Sequence, residues 1–215
     1  MHNAIRKAIK AIVTVGENGG RGFVVKSKSG DRYVITAAHC LPQMPKPHPF
    51  DNESRIWKIL GPRGKKPKIY AECAFVDPVA DIAALKCPDY DELRQPYDKF
   101  FAALAMLPLG KLSRKREAQL SGWLLALDGK PFKCRVRYRE DHPLSVEEAA
   151  QPIVPGMSGS PILAGNGVVI GVVSTNTEHD GIPGNEADLM PRPDTNLPVW
   201  LVRQMPKRVV PSRLA

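Results

Sequence analysis

Residues 32–40 read RYVITAAHC, an apolar, β-branched run that stops on a histidine and a cysteine. The composition of Tyr33–Thr36 suits a strand, and Ala37–Cys40 breaks its pattern. Similar short runs lie on both sides. AIVTVG (11–16) and GFVVKS (22–27) precede it; RIWKIL (55–60), KIYAECAFV (68–76) and DIAALKC (81–87) follow. Between them stand ENGG, KSGD, a proline-rich stretch and GPRGKKP, all turn chemistry. Six short strands at this spacing predict a small barrel or sandwich.

Beyond residue 87 the pattern changes. CPDYDELRQP reads as an acidic loop, YDKFFAALAM (97–106) as a short helix, and PLGKLSRKRE as a crossing to a second half. That half contains AQLSGWLLALD, FKCRVRYR, PILAG and GVVIGVVSTN, and NLPVWLVRQM (196–205) reads as a terminal helix. At the other end, Ile5, Ile9 and Ile12 mark one face of a short N-terminal helix. The expected organisation is therefore an N-terminal segment (1–11), a first β-barrel (12–100), a linker (101–116), a second barrel with its terminal helix (117–203) and a tail (204–215). A site is expected in the cleft between the halves.

The 215 residues include 21 prolines and 17 glycines, with 43% hydrophobic and 25% charged residues, which is ordinary for a globular chain rich in turns. Arg6, Lys7 and Lys10 interrupt the apolar positions at the start, and no long apolar run exists. Neither a signal peptide nor a membrane span is expected, which points to the cytoplasm. Cys40, Cys73, Cys87 and Cys134 show neither a CxxC pair nor zinc spacing with histidines, so free thiols are expected and no metal. The net charge of +9 gathers at Arg63–Lys68, Lys111–Arg116, Arg135/Arg137/Arg139 and Arg203–Arg213. Nucleic acid, anionic lipid or an acidic protein fits such clusters, but no nucleic-acid motif accompanies them, and a solvated basic surface is the expected reading.

Three boxes carry chemistry. TAAHC (36–40) places His39 after a strand, DPVADIAALK (77–86) places Asp81 before one, and PGMSGSP (155–161) puts Ser158 in a glycine-bearing turn. Singly, each would be a surface histidine, a strand-start cap and a plain turn. In this order, with 42 residues from His39 to Asp81 and 77 more to Ser158, they resemble the trypsin/chymotrypsin-like serine protease superfamily. The motif style is similar to that of compact bacterial members, the high-temperature-requirement proteases and glutamyl endopeptidases. The resemblance spans roughly residues 10–203. It implies an all-β fold of two six-stranded antiparallel barrels with the active site between them, and a serine endopeptidase acting through an acyl-enzyme.

By that resemblance Ser158 is the nucleophile, His39 the general base and Asp81 the group that orients the imidazole. The backbone N–H groups of Gly156 and Ser158 would form the oxyanion hole, and Ser174 would stand beside the aspartate. No cofactor is implied; the partner is a protein or peptide substrate, with room for a protein regulator. Several residues depart from the family pattern. GFVV offers Cys40 no cysteine partner; Met157 stands where digestive members have an aspartate; and Ser160 replaces the second glycine of the loop. Pro152, six residues before Ser158, would lie at the base of the primary pocket without a charge, and Thr175 and Asn176 would flank the substrate strand. With Val173 before Ser174, a glutamate preference lacks its histidine unless His179 enters the pocket, so a small or apolar P1 residue is expected. No peptide-binding module is expected after the protease region. The competing reading is a catalytically silent protease-like module that uses its basic surface for binding.

Overall fold

A computed structural model describes residues 2–44, 55–78, 80–110, 117–139 and 142–174. Helix α1 (His2–Ala11) leads directly into β1 (Ile12–Val15). Then come β2 (Gly20–Lys26), β3 (Arg32–Ala37), a single 3-10 turn (Ala38–Cys40), β4 (Ile56–Pro62), β5 (Ile69–Asp77) and β6 (Ile82–Lys86). These six strands close into an antiparallel barrel in the order β1-β2-β3-β6-β5-β4, with β4 returning to β1 through Val13↔Pro62. Closure removes every open edge.

Alternation along β2 separates two cores. Val24 points into the barrel with Val13, Val34, Leu60, Ala71 and Leu85. Phe23 and Val25 face outward, yet they are buried too, because the second half of the chain covers them. That seam gathers Ile35, Ile82 and Ala84 from the first barrel and Leu125, Leu163, Val169 and Val172 from the second half. Ala8 and Ala11 of α1 join it, with Ile5 and Ile9 packed against its rim. Burying one such large apolar side chain contributes about 1.5–3 kcal/mol, so the seam fixes how the halves meet.

The expected helix over 97–106 is displaced: α2 runs from Asp91 to Ala102. Asp91 and Glu92 favour a helix start, as carboxylates at the positive end of the dipole do. Its anchor is the pair Tyr97 and Phe101, one turn apart, buried and stacked at 4.2 Å. The apolar residues that follow serve the crossing instead. Leu107 bridges to Val25 and Leu109 to Val169, carrying the chain from the first barrel to the second half.

That half is a curled five-stranded antiparallel sheet among the described residues, in the order β11-β10-β7-β8-β9. Its strands are β7 (Glu117–Leu125), β8 (Pro131–Arg139), β9 (His142–Ala149), β10 (Pro161–Ala164) and β11 (Val169–Val172). The first barrel thus has the six strands expected, and the second shows five. The expected terminal helix at 196–205 lies outside the described residues. No described helix is long and apolar enough to cross a membrane.

Candidate active site

β3 and β6 are neighbours, paired through Ala37↔Ile82, so the residues just past one and just before the other meet at the same barrel end. That is why His39 and Asp81, far apart in sequence, touch. The Ala38 N–H donates to the Asp81 carbonyl at 3.0 Å, closing this corner. Asp81 adopts a left-handed backbone conformation, with φ of 49°. For a residue other than glycine this costs on the order of 1 kcal/mol, tolerated where surrounding bonds fix the geometry.

Those bonds converge on the Asp81 carboxylate, which is only 4% exposed. Oδ1 accepts the His39 backbone N–H at 2.8 Å, and Oδ2 lies 2.7 Å from His39 Nδ1. The Ser174 hydroxyl also donates to Oδ2. Burial pushes the carboxyl pKa up, but the bonds from the His39 ring, Ser174 and the His39 backbone outweigh it, and the net shift is downward. Asp81 is therefore an anion at neutral pH. His39 moves the other way, raised first by its bond to Asp81 and then by its contact with the Cys40 thiol. With Nδ1 committed to the carboxylate, Nε2 is the ring nitrogen left for other chemistry, on a side chain that remains 42% exposed.

Ser158 sits in the loop between β9 and β10, and that loop is tied to both halves. Its carbonyl accepts the Arg21 N–H from β2 at 2.8 Å. Gly159 N–H donates to the Val173 carbonyl at 2.6 Å, and Val173 N–H returns a bond to the Ser160 carbonyl at 2.8 Å. Gly159 has φ of 81°, and a β-carbon there would lie 1.8 Å from the Arg21 carbonyl oxygen, so only glycine fits. Met157 is buried in a third core inside the second half, with Leu124, Phe132 and Ile162, so an apolar anchor holds the loop at this position. Among the described residues, the backbone N–H groups of Gly156 and Ser158 have no protein acceptor. The Ser158 hydroxyl donates to the Ser174 carbonyl at 3.2 Å rather than to His39. Ser174 thus touches both Ser158 and Asp81.

Of the other residues singled out in the sequence, Pro152 is exposed on the approach to this loop. Thr175, Asn176 and His179 lie outside the described residues. All four cysteines are free thiols. Cys40 faces Gly20, where an added β-carbon would sit 2.5 Å from the sulfur, so no partner cysteine is there to bridge. The alternating arginines of β8 face acidic partners: Arg135 pairs with Glu148 and Arg137 with Glu147, each at 2.7 Å. Much of that stripe is therefore neutralised on its own sheet. Sequence reasoning missed Thr36, whose hydroxyl donates to the Arg21 carbonyl at 2.6 Å, and it missed Arg21 itself. No sequence signal marks either, because their acceptors are brought to them by the fold.

A barrel packed on a curled antiparallel sheet, with a histidine–aspartate pair facing a glycine-bearing serine loop across the seam, is the architecture of chymotrypsin-like proteases. Residues 20–172 match the trypsin-like peptidase domain family, and the chain belongs to it. A search of curated proteins found no match. The chain is similar in fold to the serine protease domain of the Sesbania mosaic virus polyprotein, at 16% identity and a TM-score of 0.52, over 80% of this chain and 84% of that one. It also aligns with the inactive form of the Rv3671c protease of M. tuberculosis H37Rv, at 19% identity and a TM-score of 0.49, over 94% of this chain and 90% of that one.

Proposed function

We propose that this peptidase is a serine endopeptidase in which Ser158 attacks, His39 moves the proton and Asp81 orients and stabilises the imidazole. The observation that carries the reading is the Asp81 carboxylate. It is buried and ionised, and Oδ2 binds His39 Nδ1 at 2.7 Å while also accepting the Ser174 hydroxyl. This fixes the tautomer that leaves Nε2 free to accept a proton.

In the first step Ser158 Oγ bonds to the carbonyl carbon of the scissile peptide, and its proton passes to His39 Nε2. The carbonyl oxygen becomes an oxyanion, stabilised by the unpaired N–H groups of Gly156 and Ser158; a single such donor contributes about a hundredfold or more to turnover. Collapse breaks the C–N bond, and the amine leaves with the proton from His39. Water then repeats the sequence on the acyl-enzyme and frees Ser158. Before attack, the Ser158 hydroxyl exchanges its bond to the Ser174 carbonyl for one to His39, a turn between staggered rotamers. The substrate is a peptide with a small or apolar P1 residue, since Pro152, six residues before Ser158, brings no charge to recognise an ionised side chain.

The test is a pre-steady-state assay with a p-nitrophenyl ester. A burst of one p-nitrophenolate per chain, absent from Ser158→Ala, supports a covalent acyl-serine. Linear release with no burst, equal in parent and variant, would contradict it.

A further inference from the structure

Arg21 is a cation buried in the seam, 5% exposed, with no carboxylate at ion-pair distance among the described residues. Burial first, then the nearby charge of Arg63, bring its pKa down to about 10, so it keeps its charge at neutral pH. Its partners are three neutral acceptors, all in the other half. Nη1 donates to the Leu125 carbonyl at 2.8 Å and lies 3.4 Å from the Ser160 hydroxyl, and Nη2 donates to the Ala126 carbonyl at 3.0 Å.

Each acceptor has a reason to need it. β7 pairs with β10 through Trp123↔Leu163, and extending that register by two residues sets Pro161 against Leu125. Proline has no N–H, so the ladder cannot continue there, and the guanidinium supplies the missing donor. Ala126 opens the turn to β8, which is closed by Ala126 N–H to the Lys130 carbonyl and Gly129 N–H to the Ala126 carbonyl, both at 2.9 Å. The tip of that turn, Leu127, leans on Gly156, with Cδ2 3.5 Å from where a β-carbon would stand. Ser160 is fully buried two residues beyond Ser158. One planar fork therefore touches the turn that borders Gly156 and the loop that carries Ser158, while the backbone of the same residue holds the Ser158 carbonyl.

We infer that Arg21 is a positioning residue: through Ser160 and the 126–130 turn, its guanidinium holds the 155–160 loop in place against the first barrel. Its consequence for turnover rests on the reading of Ser158 as nucleophile; its consequence for the loop does not. The experiment therefore has two readouts on the full chain, in the parent, Arg21→Met and Arg21→Lys. The first is amide hydrogen exchange. In Arg21→Met, the hydrogen-bonded amides of Ala126, Gly129, Met157, Gly159 and Ser160 should exchange at least about tenfold faster, while those of β3 and β6 keep parent rates. The second is ester hydrolysis. Here kcat should fall about tenfold or more with KM within about threefold, since displacement of reacting groups acts on the transition state, and Arg21→Lys should recover only part.

Parent exchange rates in both segments would overturn the inference whether or not the chain is active. In an active chain, an unchanged kcat would also overturn it. The exchange pattern in a chain without activity would uphold Arg21 as a positioning residue and count against the triad instead. Should Arg21→Met fail to fold, Ser160→Ala removes the hydroxyl contact alone; faster exchange at 157–160 supports the inference, and parent rates there overturn it.

Discussion

Replacing Gly159 by alanine should disable the site with little change in chemical composition. The added β-carbon would stand 1.8 Å from the Arg21 carbonyl oxygen and 2.6 Å from Thr36 Oγ1. Contacts below 3.0 Å essentially never occur, so loop and strand must part by about 1.2 Å. The positive φ adds roughly 1–2 kcal/mol of backbone strain for any L-residue with a side chain, and overpacking a filled site typically adds about 1–3 kcal/mol. A loss of about 2–5 kcal/mol in stability is expected, readable by urea unfolding. Parting by that distance also breaks the Arg21–Ser158 backbone bond and moves Ser158 away from His39. A misplacement of about 1 Å can cost about a hundredfold in rate, so kcat on an ester should fall by at least that factor in the fraction that remains folded. The control is Gly165→Ala, in an exposed turn with ordinary φ and nothing within 4 Å of the new carbon, expected to shift stability by less than about 0.5 kcal/mol. A Gly159→Ala variant with parent stability and parent kcat would refute the packing argument.

The raised pKa of His39 sets a pH dependence, because the imidazole must be neutral to accept a proton. The acid limb of kcat/KM should therefore lie above the ordinary histidine value of about 6.5 and move down in Asp81→Asn; a limb at the same pH in both would contradict the pairing. For stability the sign is opposite. The charged pair contributes fully below the unfolded histidine pKa, and that contribution is lost as pH rises through the folded value of about 10. Ser174→Ala removes a hydroxyl from a buried carboxylate and should cost about 1–3 kcal/mol in urea unfolding, together with a fall in kcat. Arg135→Ala removes an exposed ion pair with Glu148 and should change stability by about 1 kcal/mol or less; a larger loss would mean the stripe has a packing role.

The strands of the first barrel were legible in the sequence, where the pattern is local. TAAHC, the DIAALK run that opens on Asp81 and the serine turn stand out only when taken in order, and the six runs from Ile12 to Lys86 became the six strands of the closed barrel. What was not legible depends on distant partners. β9 escaped notice because Pro143, Glu147 and Glu148 break its apolar alternation; two of those acids answer the arginines of β8, information held only in the pairing of the strands. The second helix was placed too late because FFAALAM is apolar throughout, while Asp91 and Glu92 set the true start. Arg21 carries no signal in its local sequence, since its carbonyl acceptors lie more than a hundred residues further on. The resting bond of Ser158 to the Ser174 carbonyl likewise leaves no trace in either residue's local sequence.

Every role proposed for the site depends on Ser158 being an activated nucleophile. The most direct measurement is labelling of the full chain with a fluorophosphonate probe, the adduct located by peptide mass spectrometry, in the parent, Ser158→Ala and His39→Ala. A single adduct on Ser158, lost in Ser158→Ala and slowed by orders of magnitude in His39→Ala, is the predicted result. A well-folded parent that takes up no probe, or takes it up equally without His39, would contradict the account.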